Sequence, residues 1–194
     1  MKLSEHKTFV FWAGVALLSW ILLNFNDLNE IIRSTPMAHS PDYFSNGYNK
    51  WEMNEDGLPN SQLFADKIIR YSDDRETHLD NPVYVSFTEK SVKTASKSPP
   101  WIIRAESGLL SADTKHLQLK GHVIIDKAKG PGVRAVQIRT TNLKVELDTR
   151  NAETDQAAEL ISAANRTTGI GMKFAFKSPV RLQLLSHVKG KYEK

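Results

Sequence analysis

No cysteine occurs among the 194 residues. That absence excludes a disulfide scaffold, a thiolate nucleophile and any Cys-based zinc or iron–sulfur site. Histidine is sparse as well. His6, His39, His78, His116, His122 and His187 are scattered with no H-x-x-x-H or H-x-H spacing. His116 and His122 share one hairpin pattern, but two imidazoles at that spacing do not make a metal site. No G-x-S-x-G, P-loop or dinucleotide fingerprint is present. Gly130-Pro131-Gly132 reads as a turn rather than a phosphate cradle, and Asp73, Asp74 and Asp126 fall at turn positions. The chain is therefore expected to be no enzyme, with no catalytic residue, no metal and no cofactor. Any use of ATP must come from a partner.

A dense Lys/Arg run is also missing, yet charge is unevenly spread. Residues 1–115 hold 12 Lys/Arg against 15 Asp/Glu, and residues 116–194 hold 14 against 7. A basic C-terminal half suits an anionic partner such as nucleic acid, a phospholipid or a phosphorylated glycolipid, and equally a solvated strand face rich in Lys and Arg; nucleic acid is disfavoured by the compartment expected for the chain.

Only one long apolar run exists. From Thr8 to Leu23 the chain reads TFVFWAGVALLSWILL, with Thr8 and Ser19 its only polar residues. A helix hides both hydroxyls against its own carbonyls. Extended to Phe25, the run is about 27 Å long at 1.5 Å per residue, the short end of what crosses a bilayer core. No A-x-A-like cleavage site follows, so a retained anchor is expected over residues 8–25. Lys2 and Lys7 precede it and the next cation is Arg33, which puts residues 1–7 in the cytoplasm and the rest outside. Residues 26–48 read as a linker containing Pro36 and Pro41, with a short helix possible over Asp27–Arg33.

From residue 49 to 194 alternation replaces helical spacing. Leu63, Ala65, Ile69 and Tyr71 share one parity, as do Thr77, Leu79, Val83, Val85 and Phe87. Trp101, Ile103 and Ala105 follow, then Leu117, Leu119, Val123 and Ile125. Val136 and Ile138 lead to Leu143, Val145 and Leu147 with a parity slip, which a bulge near Thr140–Thr141 would repair. Phe174 and Phe176 precede Val180, Leu182, Leu184 and Val188. Period-2 spacing places each set on one sheet face. Only Thr154–Ala164 is compatible with a helix, and it reads equally as a loop plus a short strand. Asn54-Glu55-Asp56-Gly57 supplies a turn.

A weak internal repeat runs through this region. Ala65-Asp66 is followed by Asp73, Leu79 and Val83; Ala105-Glu106 is followed at the same offsets by Asp113, Leu119 and Val123; and Thr140-Thr141 is followed by Asp148. Each unit reads strand, Asp-containing turn, strand, because an Asp carboxylate accepts from a backbone amide two residues on. Stacked hairpins of this kind form one sheet that curls to bury a face.

Several segments in this order resemble the LptC family of lipopolysaccharide-export proteins. They are Ala65-Asp66 with YSDD at 71–74 and NPV at 81–83, RAESGLL at 104–110 with LKGHVIID at 119–126, RTTNLKVEL at 139–147, TGIGMKF at 168–174 and KYE at 191–193. Lys120 departs from a pattern that is more aromatic at this point. The resemblance implies an all-β fold, a single β-jellyroll of the LptA type preceded by one transmembrane helix. It implies a single-pass protein of the bacterial inner membrane with a periplasmic domain. It also implies partners: lipopolysaccharide, an inner-membrane ABC transporter of the LptB, LptF and LptG type, and a periplasmic bridge protein of the LptA type.

A carrier of acyl chains needs an apolar interior, which alternate residues of a curled sheet can line. The candidate lining is Trp51, Met53, Leu63, Ile69, Leu79, Val83, Val85, Ile103, Leu117, Leu119, Val123, Ile138, Val145, Leu147, Phe174, Phe176, Leu182 and Leu184. Taken singly, each residue fits plain core packing better than a lipid contact; the collective expectation is that a carrier leaves this interior incompletely filled. The last strand offers an edge to a partner strand through Val180, Arg181, Leu182, Gln183, Leu184, Leu185 and Val188. A tethered scaffold that binds no lipid is the alternative, and a hydrolase using scattered carboxylates is a third reading.

Overall fold

The computed structural model describes residues 10–21, 40–73, 75–87, 98–163 and 165–192. Two units are present, divided between Ala38 and His39. In the first, helix α1 covers residues 10–21. Among the described residues no helix is long and apolar enough to cross a membrane. The remainder of the expected 8–25 span, the tail 1–7 and the possible helix at Asp27–Arg33 lie outside the described residues.

The second unit is all β. Its strands are β1 (Pro41–Met53), β2 (Pro59–Tyr71), β3 (Thr77–Asp80), β4 (Val83–Ser86), β5 (Trp101–Leu110), β6 (His116–Lys127), β7 (Val136–Glu146), β8 (Asn151–Ser162), β9 (Asn165–Ala175) and β10 (Arg181–Lys191). They form one antiparallel sheet in the order β1-β2-β3-β5-β6-β7-β8-β9-β10, while β4 continues the lane of β3 by pairing with β2 and β5. Sequential hairpins build such a sheet with no crossover, and β1 and β10 are left as its edges. The sheet curls onto itself. Trp101 of β5 meets Phe174 of β9 edge-on at 4.9 Å, and Tyr84 of β4 meets Phe176, just past β9, at 6.2 Å. Strands so far apart in the order touch only if one face closes around a common core.

The turns follow local chemistry. Asn54 Oδ1 accepts from the amides of Asp56 and Leu58, and Gly57 takes φ +73. Asp113 Oδ1 accepts from the Lys115 amide at 3.0 Å, two residues on. Gly130 and Val133 close the β6–β7 connection as an isolated bridge.

A stripe of irregularities crosses the sheet and explains the repeat. Register shifts fall between Ala105 and Ser107, Leu119 and His122, Arg139 and Lys144, and Thr154 and Ala157, and on β10 between Ser186 and Lys189. Positive φ recurs along it at Asn81, Gly121, Asn142, Gly171 and His187. Each bulge bends its strand and raises the local twist, so an aligned stripe is a fold line for the whole sheet. The repeated Ala65-Asp66, Ala105-Glu106 and Thr140-Thr141 pairs mark it. Asn81 Nδ2 donates to Asp66 at 2.9 Å, and the Gly121 amide donates to Asn142 Oδ1 at 3.3 Å.

Several expectations are corrected by these bends. β1 begins at Pro41, within the stretch expected as linker to residue 48. Thr154–Ala164 is mostly strand β8, because alternating Ala152, Thr154 and Ala158 face the core. The run from Thr77 to Phe87 is broken at Asn81-Pro82. Proline has no amide for the ladder, and Asn81 adopts φ +49. The inward phase therefore passes from Leu79 to Tyr84 and Ser86, leaving Val83 and Val85 only half-buried. On β2 the phase slips past the exposed Asp66-Lys67 pair, so Ile68 is buried and Ile69 is not.

Candidate functional site

Three features of the β unit bear on function: the inner apolar face, the β10 edge and a cavity on the outer face.

The inner face gathers Leu63, Leu79, Ile103, Leu117, Leu119, Val123, Ile138, Val145, Leu147, Phe174 and Phe176 into one buried cluster. Ladder registers align these into rows. Leu117 lies opposite Val145, Val145 opposite Ala152, Ala152 opposite Phe174, and Phe174 opposite Leu182. The next row runs from Thr154 through Met172 to Leu184. Both rows end at half-buried leucines on the sheet edge, so the apolar face stays open to solvent along β10. In its middle the face is filled by the chain itself. Ile103, Val123, Ile125, Leu143 and Met172 have no exposed surface. The expectation of an incompletely filled interior is not met there. Trp51 and Met53 lie outside the core, 47% and 56% exposed on edge strand β1. Trp51 stacks instead on Phe87 at 5.9 Å.

The sequence pattern missed Ile68, Tyr84 and Met172 as inward residues. Pro82 was the available signal for Tyr84, since a proline inside a β pattern interrupts its phase.

Of the expected edge residues, Leu182 and Leu184 turn inward, while Val180, Arg181, Gln183, Leu185 and Val188 are exposed. Val188 leaves the inward phase because the register shift after Ser186, with His187 at φ +51, flips the strand. Among the described residues β10 pairs with β9 alone, so its other side presents backbone donors and acceptors.

On the outer face Gln118, Lys144, Glu153, Lys173 and Gln183 form a polar row by the same registers. A cavity of about 950 Å³ lies against this row and against His116, Glu146 and Arg181. The inward residues behind it, Leu117, Val145 and Phe174, are at most 2% exposed, so the cavity opens outward rather than into the core.

Near the start of β2 a polar cluster abuts the core. Lys50 Nζ and Ser61 Oγ donate to the Glu52 carboxylate at 2.9 and 2.8 Å. Burial pulls the Glu52 pKa up, but these two hydrogen bonds together with the charges of Lys50 and Arg150 outweigh it and hold the carboxyl below its ordinary range. Burial raises the Tyr84 phenol, opposed by Ser61 and Arg150. Arg150 Nη1 donates to the Phe87 carbonyl at 3.2 Å, tying the β7–β8 turn to the end of β4. Among the described residues no group of three or more His, Asp or Glu is placed to hold a metal ion.

The family model described as "LptC: Lipopolysaccharide-assembly, LptC-related" matches residues 11–193. Curated proteins named lipopolysaccharide export system protein LptC, from Escherichia coli K12 and Shigella flexneri, are each 24% identical over 180 residues. The alignment covers 93% of this chain and 90% of theirs. Among solved structures, the crystal structure of LptH from Pseudomonas aeruginosa, described as the LptA homologous periplasmic component of the lipopolysaccharide transport device, aligns with a TM-score of 0.46. It is 5% identical, over 78% of this chain and 94% of that one.

Proposed function

Since the chain belongs to the LptC family of lipopolysaccharide-assembly proteins, we propose that it takes part in lipopolysaccharide transport as a membrane-anchored lipid-transfer module rather than as an enzyme. In this reading residues 8–25 anchor the chain once in the inner membrane, with the N-terminus cytoplasmic and the β unit periplasmic. An ABC transporter of the LptB, LptF and LptG type delivers the lipid. The inner face of the sheet receives its acyl chains, and a bridge protein of the LptA type takes them onward by pairing a strand with β10.

One observation carries this reading. The continuous apolar rows of the inner face emerge at Leu182 and Leu184, on an edge strand whose outer side has no ladder partner among the described residues. An acyl chain entering there replaces side-chain contacts one row at a time. At about 25 cal/mol per Å², a few hundred Å² of new apolar contact supplies several kcal/mol, enough for capture and little enough for release. The packed middle of the core is then the unloaded state.

The test is a photo-crosslinking side chain placed at Leu182 and at Phe176 in cells. Crosslinks to lipopolysaccharide at either position support the carrier. Crosslinks to protein alone at both would leave a tethered scaffold of an envelope complex.

A further inference from the structure

At one end of the core, among the described residues, a cation without an ion pair meets a buried donor without a partner. Lys127 ends the inward series Val123, Ile125, Lys127 on β6 and is 8% exposed. Its ladder partner on β5 is Trp101, 4% exposed. The ammonium lies 5.0 Å from the centroid of the Trp101 ring. It has no carboxylate within ion-pair distance and no hydrogen-bond acceptor among the described residues. The indole Nε1 of the same ring is buried without a hydrogen-bond partner among the described residues. The nearest carboxylate along β6, Asp126, points to the other face, where Arg104 and Gln137 hold it at 2.7 and 2.9 Å.

Buried donors are normally satisfied, and a buried charge is normally paired. The ring face offsets part of the cost of the ammonium, but it does nothing for the N–H in its own plane. A buried N–H without a partner, beside an ammonium without an ion pair, defines a place for an acceptor carrying negative charge.

We propose that Lys127 and Trp101 form an anion-binding subsite at the end of the apolar face, which takes the phosphate or carboxylate group of an acylated amphiphile. This inference rests on the carrier reading, because the group must arrive with an apolar tail. The tail lies along Ile103 and Ile125, the residues next inward on β5 and β6. The anion then accepts from the ammonium and the indole N–H together. Lysine is retained where an apolar residue would pack because the cargo brings its counter-charge.

The experiment uses the full chain in lipid nanodiscs and two diazirine probes with the same tail, dodecyl phosphate and dodecyl glucoside. Labelled peptides are identified by mass spectrometry. In the wild type the phosphate probe should label β5 and β6 about tenfold more than the glucoside, a difference of about 1.4 kcal/mol. Lys127→Met should reduce phosphate labelling to the glucoside level and leave glucoside labelling unchanged, while Lys127→Arg should restore the preference. Trp101→Phe keeps the ring and removes only the N–H, and should lower phosphate labelling several-fold. Equal labelling by the two probes in the wild type, or a preference that survives Lys127→Met, overturns the subsite and leaves the carrier reading standing. Absence of labelling of the inner face by either probe overturns both.

Discussion

His122 Nδ1 lies 2.5 Å from Glu106 Oε1, bridging β5 and β6 where both ladders slip. Gly121 sits directly beneath this pair at φ +79, and a Cβ added there would collide with the Glu106 carboxylate. A left-handed backbone costs an L-residue about 1–2 kcal/mol, and glycine avoids that cost. Gly121→Ala should therefore destabilise the β unit by about 1–2 kcal/mol, read from urea denaturation by tryptophan fluorescence. Gly132 also has positive φ but open space around it. Gly132→Ala should share the backbone strain without the collision. If the two substitutions cost the same, the packing of Glu106 against Gly121 contributes nothing.

The same pair sets part of the acid sensitivity. The hydrogen bond from His122 holds the Glu106 carboxyl below its ordinary value of 4.5. Asp113 is likewise lowered, first by Ser111 and then by the Lys115 amide. A carboxyl with a depressed folded pKa binds fewer protons folded than unfolded. Its contribution is complete above the ordinary pKa and is lost as pH falls through the lowered folded value. Glu106→Gln should therefore lower stability at neutral pH slightly and flatten the decline below pH 4.5. An acid limb as steep as that of the wild type would remove Glu106 from the account. The pair is exposed, so salt should weaken the effect.

Most of the fold was legible because each strand is amphipathic over a short range. Leu117 and Leu119, or Val145 and Leu147, share parity in the sequence and share the core in the structure. The slip near Thr140 was legible too, since the inward phase passes from Thr140 to Leu143 around Asn142 at φ +52. Parity failed where a bend left no hydrophobic mark. Nothing apolar distinguishes Asp66-Lys67 as a slip, so Ile69 read as inward in place of Ile68. Edge position is a property of the whole sheet. Trp51 alternates with Glu52 like any core residue, and only the topology shows that, among the described residues, β1 has a neighbour on one side alone. The Lys127–Trp101 contact joins neighbouring strands whose pairing register no local pattern fixes.

The corrected phase makes a paired prediction. Ile68 is 3% exposed and Tyr84 is 2% exposed, whereas Ile69 and Val85 are only half-buried. Ile68→Ala should cost about 2–5 kcal/mol and Tyr84→Ala about 3–5 kcal/mol, through lost burial and the cavity left behind. Ile69→Ala and Val85→Ala should each cost about 1 kcal/mol or less. Denaturation midpoints of the four variants decide it. A larger loss at Ile69 than at Ile68 would restore the strict alternation read from the sequence.

Arg150 should behave as a tie between distant turns. The residue is 8% exposed, and its guanidinium donates to the Phe87 carbonyl 63 residues away in sequence. A hydrogen bond to a charged group contributes about 1.5–3 kcal/mol, and its loss also strands a carbonyl. Arg150→Met keeps most of the apolar stem and removes the donor. It should lower stability by that amount, and Arg150→Lys should recover part of it. Amide exchange offers a local readout, because the Phe87 amide donates to the Asn60 carbonyl at 3.1 Å. Faster exchange at Phe87 in Arg150→Met, with unchanged exchange at Val123, would place the damage at this junction. Uniformly faster exchange would mean that Arg150 supports the sheet as a whole.

At the β10 edge, neighbouring residues should differ sharply. Leu182 faces inward opposite Phe174, and Gln183 faces outward opposite Lys173. Leu182→Arg places a charge at the mouth of the apolar rows, where it must bend back to water or leave the edge unpacked. It should cost about 1–3 kcal/mol of stability. On the carrier reading it should also abolish lipopolysaccharide crosslinking at Phe176. Gln183→Arg adds a cation to an exposed position and should stay within about 0.5 kcal/mol of the parent. Deletion of residues 180–194 removes the whole edge and should abolish copurification with a bridge protein while sparing membrane insertion. Equal effects of the two arginines would mean that β10 does not hold this register. A truncated chain that still retains the bridge protein would move the docking edge to β1.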